Sequence, residues 1–420
     1  MRLGGLRNTL GPCVALVLLT QACGATVPSS SSLISPVAAT RPPTATGIPV
    51  PTASASALNP EGYQVVRLSA AAVRTVSLPW NFRFHRIDSD GSLVVLDEMP
   101  LFTTTKARSI YVIDLQRGST RVLSPPAPDG WLAWFPAISG HQVAWIDYRN
   151  EGSNDTGPLD WRIELADLTR HTSRTLASGI QRRSGTGFGA SWPAMDLDGN
   201  RLAYAIEDPA HPPNGWEIRV VSVPTGAVER TVPTDLPVYG LAISGQDVAY
   251  SEGKIDPQEG FTYATRLFIS RPTDPAPVQL ASNAYEVAFE DGRLAWSQDE
   301  PTTLVSGAAH GTRIWTAALP ELRPEPAAPP PGHGTEQYQA WPRTGSGFIT
   351  WDSARLSVTD TSVNGDRFAV WDPHDRIAYE LDPSPGAIIS SAGGGWLVWV
   401  NERLEVPTIS GIPIRQSGLP

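Results

Sequence analysis

The stretch SGHQVAWID, residues 139–147, joins a Ser-Gly turn to an apolar strand that carries a large aromatic side chain. Close variants recur as DGNRLAYAI at 198–206, SGQDVAYSE at 244–252 and DGRLAWSQD at 291–299. The residues after each glycine alternate or run apolar and are rich in Val, Leu, Ile and aromatics, which is typical of β-strands. A repeat of this kind predicts an array of similar β units.

Seven copies of the phrase can be aligned by the turn glycine and the last large residue. They are Gly91–Val95, Gly140–Trp145, Gly199–Tyr204, Gly245–Tyr250, Gly292–Trp296, Gly347–Trp351 and Gly394–Trp399. Successive glycines lie 46 to 59 residues apart, the interval of a four-stranded propeller blade. A variable loop and a second pair of strands follow each copy, as in SIYVIDLQRGSTRVLS at 109–124.

The pattern predicts an all-β fold, a seven-bladed β-propeller of four-stranded antiparallel blades over residues 59–412, with a C-terminal tail at 413–420. Six units are complete. The C-terminal stretch 386–410 supplies only the opening strands of a seventh, and GYQVVRLSAAAVRTVS at 62–77 supplies outer strands. We expect these N- and C-terminal strands to share one blade, which closes the ring. The stretch 353–382 could be divided differently, giving six or eight blades.

The aromatic residues that end the second strands are predicted to pack between adjacent blades, each burying about 150 to 250 Å². A stacking platform for a ligand is the alternative function of these rings. Trp134, Trp192 and Trp341, each near a proline, are predicted to wedge the entry into the innermost strand.

The repeat resembles that of TolB-like β-propellers, on the evidence of PAISGHQVAW at 136–145 and PAMDLDGNRLAY at 193–204. In that family a proline, a small residue, a Ser/Asp-Gly turn and an apolar strand follow one another. The resemblance covers about residues 60–410 and only the propeller part, since a tether stands where TolB has an α/β domain. It implies an exported propeller that binds protein partners.

The first residues are typical of an export signal. Arg2 and Arg7 precede an apolar run that is too short to span a bilayer of about 30 Å. LLTQAC at 18–23 resembles the lipobox of bacterial lipoproteins, which implies cleavage after residue 22 and lipidation of Cys23. Thr20 stands where that family usually has Leu. Secretory cleavage without a lipid and an uncleaved anchor therefore stay open as alternatives.

Residues 23–58 are rich in Pro, Ser, Thr and Ala, with Arg41 as their one charge. Such a composition cannot bury enough apolar surface to fold, so the segment is predicted to be a disordered tether. The two cysteines, Cys13 and Cys23, both precede the propeller, which therefore contains no disulfide. The expected location is extracytoplasmic and membrane-anchored by the N-terminal lipid, with secretion as the alternative.

No catalytic, metal or cofactor site is predicted. The net charge of −10 and the scattered cations exclude the phosphate-neutralising surface of a nucleic-acid binder. The turns DSDG at 88–91 and DLDG at 196–199 begin like calcium loops, but strand residues follow where further ligands are needed, so they are interpreted as hairpin turns. The seven histidines form no ligand pair, and no G-x-S-x-G elbow occurs.

The loops between second and third strands are long and acidic, and they all emerge on one face of a propeller. That face is the candidate binding surface for a protein or envelope polymer with basic character. Its proposed residues are Asp155, Asp160, Glu207, Asp208, Glu252, Asp256, Asp299 and Glu300. The function predicted is non-catalytic binding by a monomer that contacts the membrane only through its lipid. The alternatives are a glycan-acting enzyme with paired loop carboxylates, such as Asp160 with Asp208 or Asp256, and a purely structural envelope protein.

Overall fold

The computed structural model describes fourteen segments of the chain. They are residues 54–55, 62–78, 84–98, 109–124, 131–150, 159–181, 194–207, 215–255, 262–300, 311–327, 338–356, 363–382, 389–401 and 406–414. Cys23, the signal sequence and most of the predicted tether lie outside these residues. Three strands and a single turn of 3₁₀ helix precede the first blade. They are β1 Ser54–Ala55, β2 Gln64–Ser69, the helix Ala70–Ala72 and β3 Arg74–Ser77.

Blades one to four are antiparallel sheets, each built from four consecutive strands. Blade one contains β4 Phe84–Asp90, β5 Leu93–Glu98, β6 Ile110–Asp114 and β7 Ser119–Ser124. Blade two contains β8 Leu132–Ser139, β9 Gln142–Asn150, β10 Leu159–Asp167 and β11 Thr172–Gln181. Blade three contains β12 Met195–Asp198, β13 Arg201–Glu207, β14 Trp216–Ser222 and β15 Val228–Thr234. Blade four contains β16 Val238–Ser244, β17 Asp247–Ile255, β18 Thr262–Ser270 and β19 Val278–Ser282.

The last three blades complete the ring. Blade five contains β20 Ala284–Glu290, β21 Arg293–Glu300, β22 Gly311–Ala318 and β23 Glu325–Pro326. Blade six contains β24 Tyr338–Gly345, β25 Phe348–Leu356, β26 Val363–Asp372 and β27 Ile377–Asp382. Blade seven contains β28 Ile389–Gly393, β29 Trp396–Asn401 and β30 Thr408–Pro413, with β3 as its outermost strand. The described parts of the stretch 353–382, which are the end of β25 together with β26 and β27, belong to blade six, so the predicted count of seven is confirmed.

The innermost strands β4, β8, β12, β16, β20, β24 and β28 each contact the next, and β28 contacts β4 again. Seven apolar clusters fill the seven interfaces between blades. The repeated aromatic residues lie in these clusters and are buried, as predicted: Trp145, Tyr204, Tyr250, Trp296, Trp351 and Trp399. In blade one the equivalent position is Leu96, one residue beyond the Val95 of the sequence alignment, because β5 begins at Leu93.

Closure joins the two ends of the chain in blade seven, as expected. Thr75 of β3 lies opposite Ser410 of β30 in antiparallel register, and their hydroxyl oxygens are 2.9 Å apart. One part of the expectation was wrong, since β2 does not enter this blade. It runs parallel to β27 as a fifth strand of blade six, with Gln64 opposite Ile377. Three C-terminal strands already occupy blade seven, so one position remained for β3.

The geometry and hydrogen bonds of the Ser-Gly and Asp-Gly turns explain why these dipeptides recur in the sequence. In blades one to four the glycine is the first turn residue and has positive φ, as in Gly140 at 58°, which is the geometry of a type II′ hairpin. In blades two to four its amide donates to the side chain that precedes the glycine in the preceding blade, whereas the amide of Gly91 in blade one donates to the carbonyl oxygen of Gly393. These bonds run from Gly140 N to Asp90 Oδ2 at 2.6 Å, Gly199 N to Ser139 Oγ at 2.9 Å and Gly245 N to Asp198 Oδ2 at 2.6 Å. The repeated dipeptide therefore forms hydrogen bonds that connect adjacent blades.

Within the described residues no helix is both long enough and apolar enough to cross a membrane.

Candidate functional site

The innermost strands line a polar central channel. A cavity of about 80 Å³ lies between Asp88, Asp196 and Glu290, from blades one, three and five, and the guanidinium groups of Arg86 and Arg343. Alternate residues of each inner strand face the axis, since side chains of a strand alternate between its two faces. The channel therefore collects charges from strands that are distant in sequence.

The carboxylates of Asp88 and Asp196 accept hydrogen bonds from the inner strand of the next blade. Ile138 N donates to Asp88 Oδ2 and Ile243 N donates to Asp196 Oδ2, each at 2.9 Å. Burial raises the pKa of Asp88, and burial together with the nearby charge of Asp88 raises the pKa of Asp196 to about 7. In the described part of the chain no three His, Cys, Asp or Glu side chains converge as a metal site.

The pKa values of Glu290 and Arg343 are also shifted strongly in the channel. Burial, then the charges of Asp291 and Asp88, raises the pKa of Glu290 to about 9. Burial, then the charge of Arg86, lowers the pKa of Arg343 to about 10. The channel thus favours neutral carboxyl groups, because desolvation and like charges both act against ionisation.

Replacing Glu290 with glutamine should stabilise the propeller at alkaline pH. Because the carboxyl pKa is higher in the folded protein, its contribution to stability is full below the unfolded value near 4.5 and falls as pH rises toward about 9. Glutamine does not ionise, so we expect the stability gained by E290Q over the wild type to be about 4 kcal/mol larger at pH 8 than at pH 5. Urea unfolding at both pH values measures the difference. An equal effect at the two pH values would contradict this role of the carboxyl group.

We use the term loop face for the end of the propeller where the loops between second and third strands emerge, and turn face for the opposite end. Among the residues predicted for the loop face, Asp155, Asp208 and Asp256 lie outside the described residues, as does the side chain of Glu300. Asp160 accepts from Arg149 Nη2 at 2.9 Å, and Asp299 accepts from the Tyr285 hydroxyl at 2.7 Å. Glu207 is partly buried at the end of β13.

Glu252 is part of the fold rather than of an open surface. Its side chain is 2% exposed, and it forms an ion pair with Arg266. Its Oε2 also accepts from the backbone amides of Asp235 and Leu236 at 3.2 and 3.4 Å, in the connection between blades three and four. A carboxylate with these partners is stabilised internally, so it contributes little free charge to a partner.

An aromatic and arginine cluster occupies the loop face of blade two. We call it the blade-two patch and define it as Trp131, Trp134, Phe135, Arg149 and Arg162. The guanidinium carbons of Arg149 and Arg162 lie 5.2 and 4.4 Å from the Trp131 ring centre, within cation–π range. Trp134 and Phe135 stack at 5.1 Å. All five side chains are partly exposed.

Carboxylates hold the arginines of the blade-two patch in place. Arg162 pairs with Asp147 at 2.8 Å and with Glu164 at 3.0 Å, while Arg149 pairs with Asp160. Because Asp147 also accepts from the Trp145 indole at 2.9 Å, the network is tied to the core between blades one and two. The patch is therefore ordered before any partner arrives.

The inner strands are bulged where they leave the loop face. Register shifts lie between Trp134 and Ala137 in blade two and between Ala340 and Arg343 in blade six. Phe135 and Trp341 occupy these bulges with φ of 52°, a conformation that costs non-glycine residues about 1 to 3 kcal/mol. Trp341 is also 41% exposed. Bulges of this kind often lie next to functional sites.

Sequence reasoning assigned no function to the blade-two patch. Trp134 packs against the core between blades two and three, in agreement with its predicted structural role, whereas Trp341 is 41% exposed and does not fit the role of a buried wedge. Trp192 lies outside the described residues. The signal that was available is the density of Trp, Phe, Tyr and Arg between residues 131 and 162. These residue types dominate binding energy at protein interfaces.

No family model and no curated protein sequence matches this chain. Among solved structures, the β-propeller domain of the trilobed protease from Pyrococcus furiosus is similar, with a TM-score of 0.51 and 11% identity over 80% of this chain and 96% of that one. Pyrococcus horikoshii acylaminoacyl peptidase has a TM-score of 0.49 and 14% identity over 76% of this chain. The chain spans about half of that peptidase, 48% of its length. At such identities the similarity shows the fold alone, a β-propeller.

Proposed function

We propose that this chain is a non-catalytic binding protein, a TolB-like propeller that engages a protein or envelope polymer through its loop face. The observation that carries the proposal is the blade-two patch. Tryptophan, tyrosine and arginine are enriched in the few residues that supply most of the energy of protein interfaces. Here such residues lie together, partly exposed, on the loop face of blade two.

The side chains of the blade-two patch are already held in place, and this favours binding. Ion pairs to Asp147, Glu164 and Asp160 already fix both arginines, so little side-chain freedom remains to be lost in a complex. Planar aromatic rings add contact area at a low entropic cost. The acidic residues of the loop face other than Glu252 would then steer a basic partner by their field, whereas contact energy would come from the patch.

Affinity capture from envelope extracts tests the proposal. We expect retention of partners by the soluble part of the chain to fall at least about tenfold when Trp131 and Arg162 become alanine and glutamine. A matched control replaces Val278 and Arg67, which lie on exposed outer strands away from the loop face. Circular dichroism must show that each variant is folded. Equal retention by both variants would overturn the role of the patch.

A glycan-acting enzyme is the second candidate, and the coupled carboxyl groups Asp88 and Asp196 are the observation that favours it. Burial raises the pKa of both groups, and two neighbouring carboxyl groups with perturbed pKa values can act as acid and base. Both of them, however, accept hydrogen bonds from backbone amides of adjacent inner strands, and a cavity of about 80 Å³ is far smaller than a sugar site. Release of reducing ends from envelope glycans, lost in D196N, would support the enzyme.

We also propose that the protein is an exported lipoprotein anchored through Cys23, as the lipobox-like segment indicates. The variant C23A should lose metabolic labelling by a radioactive fatty acid and move from the membrane fraction to the soluble fraction. The matched control C13A removes the other cysteine, which precedes the predicted cleavage site, and should keep both properties. Labelling that survives in C23A would contradict the anchor.

A further inference from the structure

Two adjacent blades carry the same motif in the turn between their third and fourth strands. DLQRGSTR at 114–121 in blade one and DLTRHTSR at 167–174 in blade two share the pattern Asp-Leu-x-Arg-x-Ser/Thr-Ser/Thr-Arg. The corresponding turns of blades three and four read SVPTGAVER and SRPTDPAPV. These turns lie on the turn face, opposite the blade-two patch, so the motif is independent of the proposed function.

The aspartates of the motif serve the turns themselves. Asp114 Oδ1 accepts from the amides of Gln116 and Arg117, each at 3.0 Å. Asp167 Oδ1 accepts from the amides of Thr169 and Arg170 at 2.9 and 3.0 Å. These carboxylates form Asx-type turns, which use their charge locally. The arginines three and seven residues later are directed to the same face.

The arginines border two grooves. A groove of about 730 Å³ between blades one and two is lined by Arg117, Arg121, His141 and His171. A second groove of about 440 Å³ between blades two and three is lined by Arg170 and Arg174. The larger volume falls within the range of ligand sites, about 300 to 1,000 Å³. Arg117 and Arg170 lie 3.6 and 3.7 Å from Asp114 and Asp167 of their own turns, and these aspartates also line the grooves. Among the described residues, the arginines of the motif without a carboxylate partner are therefore Arg121 and Arg174, and Arg174 also donates from Nη2 to the Val223 carbonyl.

Arg121 lacks a counterion in its groove. Burial lowers the pKa of its guanidinium group, and within the described residues no carboxylate forms an ion pair with it. Its Nη1 lies 3.3 Å from His171 Nδ1, and arginine can only donate, so this ring nitrogen accepts. A partly buried guanidinium group without a carboxylate partner can pair with an oxyanion that enters the groove.

We propose that the paired grooves on the turn face bind an extended acidic segment of a protein partner, with one carboxylate on Arg121 and a second on Arg174. The planar fork of arginine matches a carboxylate in a bidentate arrangement. Asp90 and Asp114 also line the first groove, so a singly charged carboxylate is favoured over a phosphate group that carries nearly two charges. The two copies of the motif present matching anchors one blade apart.

Fluorescence anisotropy with a labelled peptide of alternating glutamate and serine, about ten residues long, tests this surface. We expect binding that weakens several-fold between about 50 and 300 mM salt. R121Q should weaken it at least about fivefold, and R121Q with R174Q at least about twentyfold. R67Q is the matched control, because it removes one charge from an arginine that is 71% exposed on blade six. R121K keeps the charge without the fork and should recover only part of the affinity.

Several results would overturn the proposal. They are unchanged binding in R121Q that circular dichroism shows to be folded, equal weakening by R67Q, and wild-type affinity in R121K. Tighter binding of tripolyphosphate than of the acidic peptide would also overturn the assignment to carboxylates, as would equal binding of a peptide of alternating lysine and serine. None of these measurements involves the blade-two patch, so failure here leaves the proposed function untouched.

Discussion

Replacing Trp351 with alanine should reduce the free energy of unfolding by about 3 to 5 kcal/mol. The side chain is 0% exposed and lies between blades five and six, in a cluster with Ala295, Ile314 and Tyr63. Loss of the ring removes both its buried area and its packing contacts, and the two sheets cannot close on the space that remains. Urea denaturation followed by circular dichroism measures the change.

The control for this prediction is W341A. Trp341 is the same residue type in the same blade, but it is 41% exposed, so we expect a loss below about 1 kcal/mol. Equal effects of the two variants would mean that blade interfaces contribute little to stability. The ring would then be held mainly by its strand ladders.

Replacing Gly393 with alanine should destabilise the ring by about 3 kcal/mol or more. An added Cβ would lie 2.1 Å from the carbonyl oxygen of Ser89, in the inner strand of the next blade. Because the neighbouring atom belongs to the backbone, two inner strands must move apart to admit the methyl group. The same clash arises in blade six, where a Cβ on Gly345 would lie 1.9 Å from the oxygen of Ala392.

G118A separates this clash from ordinary glycine strain. Gly118 has φ of 64° but no atom within 4 Å of an added Cβ, so only the backbone conformation is penalised. We expect a loss of about 1 kcal/mol there, measured by the same urea titration. If G393A lowers the free energy of unfolding no more than G118A does, the inner strands do not approach each other as closely as they do in the structure.

The sequence predicted the ring well because the features that define a blade are local. Period-two apolar strands, turn glycines such as Gly140 and the aromatic position of Trp145 all lie within ten residues of one another. The incomplete sets of strands at the two ends of the chain predicted that the ends share a blade. The parallel pairing of β2 with β27 could not be predicted, because nothing in residues 64–69 distinguishes a fourth strand of one blade from a fifth strand of another.

The candidate site was less predictable, because it depends on contacts between distant parts of the chain. Glu252 looks like an exposed loop charge in the sequence, yet its burial depends on Arg266 and on the connection at 235–236. Asp88 and Asp196 look like turn residues and instead face the channel. The blade-two patch also joins residues from β8, β9 and β10 with Trp131, and alternation along single strands does not reveal such a cluster.

Closure of the ring by β3 is tested most directly with a disulfide between T75C and S410C. Their native hydroxyl oxygens are 2.9 Å apart although the residues are 335 positions apart, and the wild-type propeller contains no cysteine. The account predicts that oxidation of the propeller gives a single intramolecular disulfide and raises the urea midpoint, since a long loop is closed. A double variant that stays reduced, or that forms only intermolecular disulfides, would contradict closure.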